Sequence, residues 1–186
     1  MPYNSLSTLP KKVLEFWFSF LTPAQWFTKS DELDNLIKDK FSDLHASASQ
    51  CECVDWRADP QGRLAEIIVL DQFSRNIFRD TAQAFTYDAL ALALTQEAIA
   101  LGTDELLKPQ ERSFLYMPIM HSESLYIHNK YLSFFEKHTP DNTYAYELKH
   151  KKIIERFGRY PHRNAMLDRT STPQELEFLK KPDSSF

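Results

Sequence analysis

Apolar residues recur every three or four positions along most of this chain, the period of helices with one buried face. Pro10 opens a first predicted helix that runs through Leu21, and Thr22-Pro23 reads as a cap with proline at the next helical start. Ser30 caps a helix from Asp31 to about Ser47, with Leu33, Leu36, Ile37, Phe41 and Leu44 along one stripe. Residues 48–59 are polar and irregular, and a long helix follows from Gln61 to Phe78. The Ala- and Leu-rich stretch 84–101 ends at Gly102, a natural C-cap. Residues 110–137 read as one helix kinked at Pro118. A helix from Tyr144 to Phe157 comes next, and the Thr172–Glu175 capping box opens a short last helix that Pro182 stops.

No β-branched run alternates with polar residues, so the pattern predicts an all-α protein. Its helices are expected to stack as antiparallel pairs. No linker divides the chain and no 34-residue repeat is visible, so residues 1–186 are expected to form one helical domain.

Composition narrows the function classes. Three glycines in 186 residues are too few for a dinucleotide fold with its Gly-rich turn. A net charge of −4 weighs against a protein built to coat nucleic acid. Cys51 and Cys53 are too close in sequence for an unstrained disulfide, which predicts free thiols in the cytoplasm. His45 is near them, but no second ligand pair completes a zinc spacing. The apolar run after Lys11-Lys12 is short and carries Glu15, so it reads as a core helix, with neither a signal sequence nor a membrane span expected.

The informative residues are charged groups on otherwise apolar faces. Between Gln61 and Phe78 apolar side chains cover nearly the whole circumference, which marks a buried helix, yet Asp71 and Arg75 sit in its middle, four apart and able to pair. Burying ions costs several kcal/mol each unless they are partnered, so that placement needs compensation. His121 and His128 fall along the stripe of Phe114, Met117, Leu125, Leu132 and Phe135, and Glu123 projects to the other side. His150 is central to the stripe of Tyr146, Ile153, Ile154 and Phe157. A lone inward histidine is more often a hydrogen-bonded core group than a catalyst, Asp71–Arg75 alone reads equally as a structural ion pair, and His128 is read as structural. Several helices each carrying an inward ionisable group point to a shared internal polar site.

The segment from Arg156 to Asn164 gathers Arg156, Arg159, His162, Arg163 and Asn164 around Gly158 and Pro161. Guanidinium groups bind carboxylate or phosphate through paired hydrogen bonds, so an anion site is the sharper reading. The plainer one gives these arginines to some of the chain's 26 acidic residues. His121-Ser122-Glu123 offers two metal ligands without a third, and no metal is expected.

Three blocks resemble a known family of uncharacterised function, domain of unknown function 924. They are Leu70-Asp71-Gln72-Phe73-Ser74-Arg75-Asn76-Ile77-Phe78-Arg79, then Met117-Pro118-Ile119-Met120-His121-Ser122-Glu123, then Arg156 to Asn164 continuing through Arg169-Thr170-Ser171-Thr172. Trp26-Phe27 and Ala84-Phe85 also fit, so the resemblance spans nearly the whole chain. It implies a right-handed stack of helix pairs similar to tetratricopeptide-repeat proteins. The chain departs from the family pattern at Ser74, where proline is usual, and at Ser124, where an acid is usual. The resemblance carries no activity.

The leading expectation is a site for a small anion, a phosphate ester or carboxylate, held by Arg75, Arg79, Arg156, Arg159, Arg163 and Asn164. His121, His150 and His162 would donate hydrogen bonds or move protons, with Glu123 orienting one of them. Any chemistry is expected to be hydrolysis or proton transfer with water as nucleophile and no cofactor. The sequence leaves open whether a reaction is catalysed, and it leaves the oligomeric state open. The rival expectation is a scaffold that takes an acidic peptide or partner protein on the same arginines. RNA binding through the basic segment ranks third, against the acidic net charge.

Overall fold

Pro10 lies in the first turn of α1 (Leu9–Glu15), where its missing N–H costs no helical hydrogen bond. This computed structural model describes residues 8–182 and residue 184. After α1 the helix widens into a π turn over Phe16–Phe20. Residues 22–28 form turns instead of the helix expected at Thr22-Pro23: the Gln25 N–H donates to the Thr22 carbonyl at 3.0 Å and the Phe27 N–H to the Ala24 carbonyl at 3.4 Å, three residues back in each case. Ser30 caps α2 (Asp31–Ser49) as expected, its hydroxyl accepting from the Leu33 N–H at 3.2 Å.

The long helix read over 61–78 is in fact three pieces: α3 (Pro60–Ile68), a π turn (Val69–Phe73) and α4 (Ser74–Ile77). The π turn has a local cause. The Ser74 hydroxyl donates to the Leu70 carbonyl at 2.6 Å and Arg75 Nη1 donates to the Asp71 carbonyl at 2.7 Å. These side chains satisfy carbonyls at the place where the i→i−4 ladder is interrupted. Gly62 in α3 lies so close to the preceding 3₁₀ turn (Val54–Ala58) that an added Cβ would fall 2.1 Å from the Trp56 carbonyl oxygen.

A 3₁₀ turn (Ala82–Phe85) leads into α5 (Asp88–Ala100), which ends at Gly102 with φ of 67°. The helix expected over 110–137 is two helices, α6 (Pro109–Met120) and α7 (Leu125–His138). Pro118 is accommodated inside α6, and the break falls at 121–124 instead. There the Ser122 hydroxyl accepts from the Ser124 N–H at 3.2 Å, and Ser124 turns extended to start α7. Next come α8 (Asp141–Phe157), closed by Gly158 at φ 68°, and α9 (Pro173–Leu179), opened by the reciprocal Thr172–Glu175 capping box.

Among the described residues there is no strand, so the protein is all-α. Helix α1 packs on α3, α2 on the second π turn and α4, α5 on α6, α6 on α7, and α7 on α8. Trp17 anchors the main core, its ring set edge-on to Phe114 at 5.6 Å and tilted against Phe73 at 5.7 Å. A satellite cluster of Ile153, Ile154 and Tyr160 closes the C-terminal end. No helix among the described residues is long and apolar enough to cross a membrane.

Candidate functional site

Asp71 occupies the π turn between α3 and α4 and is fully buried. Its Oδ2 accepts from Gln72 Nε2 at 2.6 Å, and its Oδ1 lies 2.7 Å from His121 Nδ1 and 3.2 Å from Arg75 Nη1. Burial alone would raise the Asp71 pKa, but Arg75 and His121 outweigh it and hold the carboxyl well below its usual range. The pairing of Asp71 with Arg75 follows the expected four-residue spacing.

An ionised Asp71 fixes the proton of His121 on Nδ1. Nε2 is then a bare lone pair, without a hydrogen-bond partner among the described residues, and His121 is one of the residues that line a cleft of about 490 Å³. Burial and then the charge of Arg75 push the His121 pKa down, so the ring is neutral at pH 7. Asp71 therefore does the orienting that the sequence assigned to Glu123. Glu123 instead accepts the Tyr160 N–H at 2.7 Å and two hydrogen bonds from Arg169, at 2.7 and 2.9 Å. Those bonds outweigh burial and keep its pKa low.

Asp88, in the first turn of α5, joins the two arginines of the site. Arg75 lies 3.0 and 3.1 Å from its two oxygens, and Arg163 Nη1 donates to it at 3.1 Å. Arg163 also donates to the His121 carbonyl at 3.0 Å and lies over the rings of Phe85 (4.6 Å) and Tyr160 (4.7 Å). Burial, then Arg75, push its pKa down. The two guanidinium groups are thus balanced by the carboxylates of Asp71 and Asp88.

His150 and His162 stand behind this arrangement. The His150 ring lies 6.5 Å from that of His121 and 5.7 Å from that of Tyr160, and its Nδ1 faces the Tyr146 carbonyl at 2.8 Å. The His162 ring is 5.6 Å from Tyr160, and its buried Nδ1 has no hydrogen-bond partner. Burial lowers the pKa of His150 to about 3, and burial with Arg163 lowers that of His162 to about 4.

The structure therefore gathers Arg75, His121, Glu123, His150, His162 and Arg163. The remaining candidates lie elsewhere. Arg79 is paired with Asp34 beside Asn76 in a separate surface hollow. Arg159 is held by both Glu175 oxygens, at 2.7 and 2.9 Å, and Arg156 lies over Phe157 at 4.6 Å. Asn164 is buried, binding Arg169 and Ser171 at 3.0 Å. The segment diverges because Gly158 and Pro161 turn the backbone between the arginines.

Sequence reading missed Asp88, an acid in the first turn of α5, and Glu147. Glu147 and His128 are both fully buried and 2.7 Å apart, and His128 Nε2 donates to the Ser122 carbonyl at 2.8 Å. This pair ties α7 and α8 to the turn that carries His121. A buried Glu–His pair at 19 residues' separation leaves no local signal. Among the described residues no group of three or more His, Cys, Asp or Glu side chains is placed to hold a metal ion.

The family model for a bacterial protein of unknown function (DUF924) matches residues 13–183. A solved protein of unknown function from Agrobacterium tumefaciens is 34% identical, with a TM-score of 0.89 over 94% of this chain and 98% of that one. No curated protein matches.

Proposed function

The chain belongs to the bacterial DUF924 family of unknown function, and from the geometry of its cleft we propose that it binds a small anionic molecule over His121, a carboxylate or phosphate ester, and moves a proton on it. One observation carries this reading: a neutral imidazole at the edge of a cleft, its Nδ1 held by a buried carboxylate and its Nε2 without a partner among the described residues. A base so placed takes a proton from a bound water or ligand, and the resulting imidazolium is stabilised by Asp71. Arg163 lines the same cleft, and Arg75 stands next to it across Asp88. Because their charges are already balanced, protonation of His121 provides the positive charge that an incoming anion requires. Water attack or proton transfer within the ligand are the reactions that suit this set.

A thermal-shift series with carboxylates, phosphate and phosphate esters tests the reading at fixed ionic strength. Ligand at 100 times its dissociation constant adds about 2.7 kcal/mol, a midpoint rise of about 5–11 °C for a chain of this size. The rise should disappear in His121→Gln. No rise with any compound overturns the reading.

The second reading is a scaffold for a partner protein, favoured by Phe20 and Phe27, which are 65% and 70% exposed. The right-handed, tetratricopeptide-like stacking of antiparallel pairs in one domain belongs to that reading. In both, the free thiols of Cys51 and Cys53 favour the cytoplasm.

A further inference from the structure

We propose, resting on the anion reading above, that the ligand is a monocarboxylate with an apolar body, an alkyl or aryl acid. Its body lies against Phe85, Ala89, Leu92, Pro118 and Leu167 while its carboxylate meets His121 and Arg163.

Two features of the cleft lead there. Half of the residues that line the cleft, Ala82, Phe85, Ala89, Leu92, Pro118 and Leu167, offer no polar side chain, and they share it with Thr86, Asp88, His121, Ser122, Glu123 and Arg163. A ligand that was all charge, such as inorganic phosphate, would leave those apolar side chains against water. One carrying a hydrocarbon body covers them and gains the transfer free energy of the covered area. At about 490 Å³ the cleft lies within the usual range for small-molecule sites, about 300–1,000 Å³.

Charge selects the head group. Arg75 and Arg163 are matched by Asp71 and Asp88, and Arg169 by Glu123. The one charge still adjustable at the cleft wall is that of His121. Its protonation adds a single positive charge, which neutralises one carboxylate and leaves a phosphate dianion with an unmatched charge. Arg163, which lies on Phe85 and Tyr160 and donates to Asp88 and the His121 carbonyl, stands beside the added charge at the cleft.

Calorimetric titration of the purified protein with acetate, butyrate, hexanoate, octanoate and benzoate, alongside hexan-1-ol and inorganic phosphate, tests this. The dissociation constant should fall about two- to fourfold per methylene. Hexan-1-ol and phosphate should bind at least about tenfold more weakly than hexanoate. Equal binding of acetate, octanoate and phosphate overturns the apolar body and leaves the anion reading standing. Hexan-1-ol binding as well as hexanoate, or no binding by any of them, overturns both. Ala89 is exposed on α5, so Ala89→Trp should fold normally while narrowing the cleft. It should flatten the chain-length dependence, and an unchanged slope overturns the placement of the body.

Discussion

Asp71 and His121 are 50 residues apart in sequence, yet the carboxylate Oδ1 lies 2.7 Å from the imidazole Nδ1. The contact exists because two irregularities coincide. A π turn inserts Asp71 between α3 and α4, and the end of α6 at residue 121 puts His121 at a helix terminus. A regular helix through residues 69–73 would carry Asp71 on a different azimuth, since one inserted residue rotates the rest of the helix by about 100°.

Asp71→Leu should change the tautomer of His121 as well as stability. Leucine leaves Nδ1 without an acceptor, so the imidazole proton is no longer held there and the base facing the cleft is lost. Removing one member of a buried ion pair also costs about 3–5 kcal/mol. Nitrogen NMR of His121 and urea unfolding read the two effects separately. An Nε2 that keeps its unprotonated signature would show that Asp71 does not set the tautomer.

Stability should fall between pH 7 and pH 5. The unfolded chain protonates its histidines near pH 6.5, whereas burial holds His150 at about 3 and His162 at about 4 in the folded protein. Both rings therefore contribute fully above pH 6.5, and their contribution is lost as pH drops toward the folded values, by up to about 1.4 kcal/mol per pH unit each. His121, lowered by burial and Arg75, acts in the same direction. Glu147 opposes them, because burial raises its pKa and it destabilises as pH rises through the carboxylate range. Asp71 and Glu123, held low, lose their contribution only below about pH 4.5. The net difference between pH 7 and pH 5 is expected at about 2–4 kcal/mol by urea unfolding, and smaller in His162→Gln. A flat profile would mean that the rings take up protons while folded.

Gly62→Ala tests the close approach of α3 to the 3₁₀ turn before it. The new Cβ meets backbone, the Trp56 carbonyl oxygen at 2.1 Å, so no side-chain rotation relieves the clash. Overpacking of this kind costs about 1–3 kcal/mol, and the gain in helix propensity returns at most about 1. Thermal unfolding of the variant should show a clear net loss. A midpoint at or above that of the parent would mean the turn is free to move away.

What the sequence disclosed and what it hid divide along range. Helix ends at Ser30, Gly102, Gly158 and Thr172 were legible because a cap is a contact between residues three or four apart. The break at 121–124 was not, because Pro118 offered a stronger local signal and the turn is held by Ser122, Ser124 and the distant His128–Glu147 pair. The π turn depends on Ser74 and Arg75 bonding carbonyls four residues back, a choice that hydrophobic periodicity does not record. Asp88 acquires its meaning only from Arg75 and Arg163, 13 and 75 residues away.

Arg159 and Arg163 look equivalent in sequence, and the structure separates them into two experiments. Arg163 reaches the cleft, where it touches Asp88, the His121 carbonyl and two aromatic faces. Replacing it with glutamine removes a donor and a charge from the wall that would hold an anion. Carboxylate binding should then weaken at least about tenfold, as befits loss of a charged hydrogen bond of about 1.5–3 kcal/mol. Arg163→Lys should recover only part of it, since an ammonium cannot bridge Asp88 and the carbonyl as a flat fork does. Arg159 is engaged away from the cleft by Glu175 and the Thr170 carbonyl, which fasten the start of α9 to the segment after α8. Arg159→Gln should therefore leave ligand affinity unchanged and show itself as faster amide exchange in α9. If Arg159→Gln abolished binding while Arg163→Gln kept it, the cleft over His121 would not be where the anion sits.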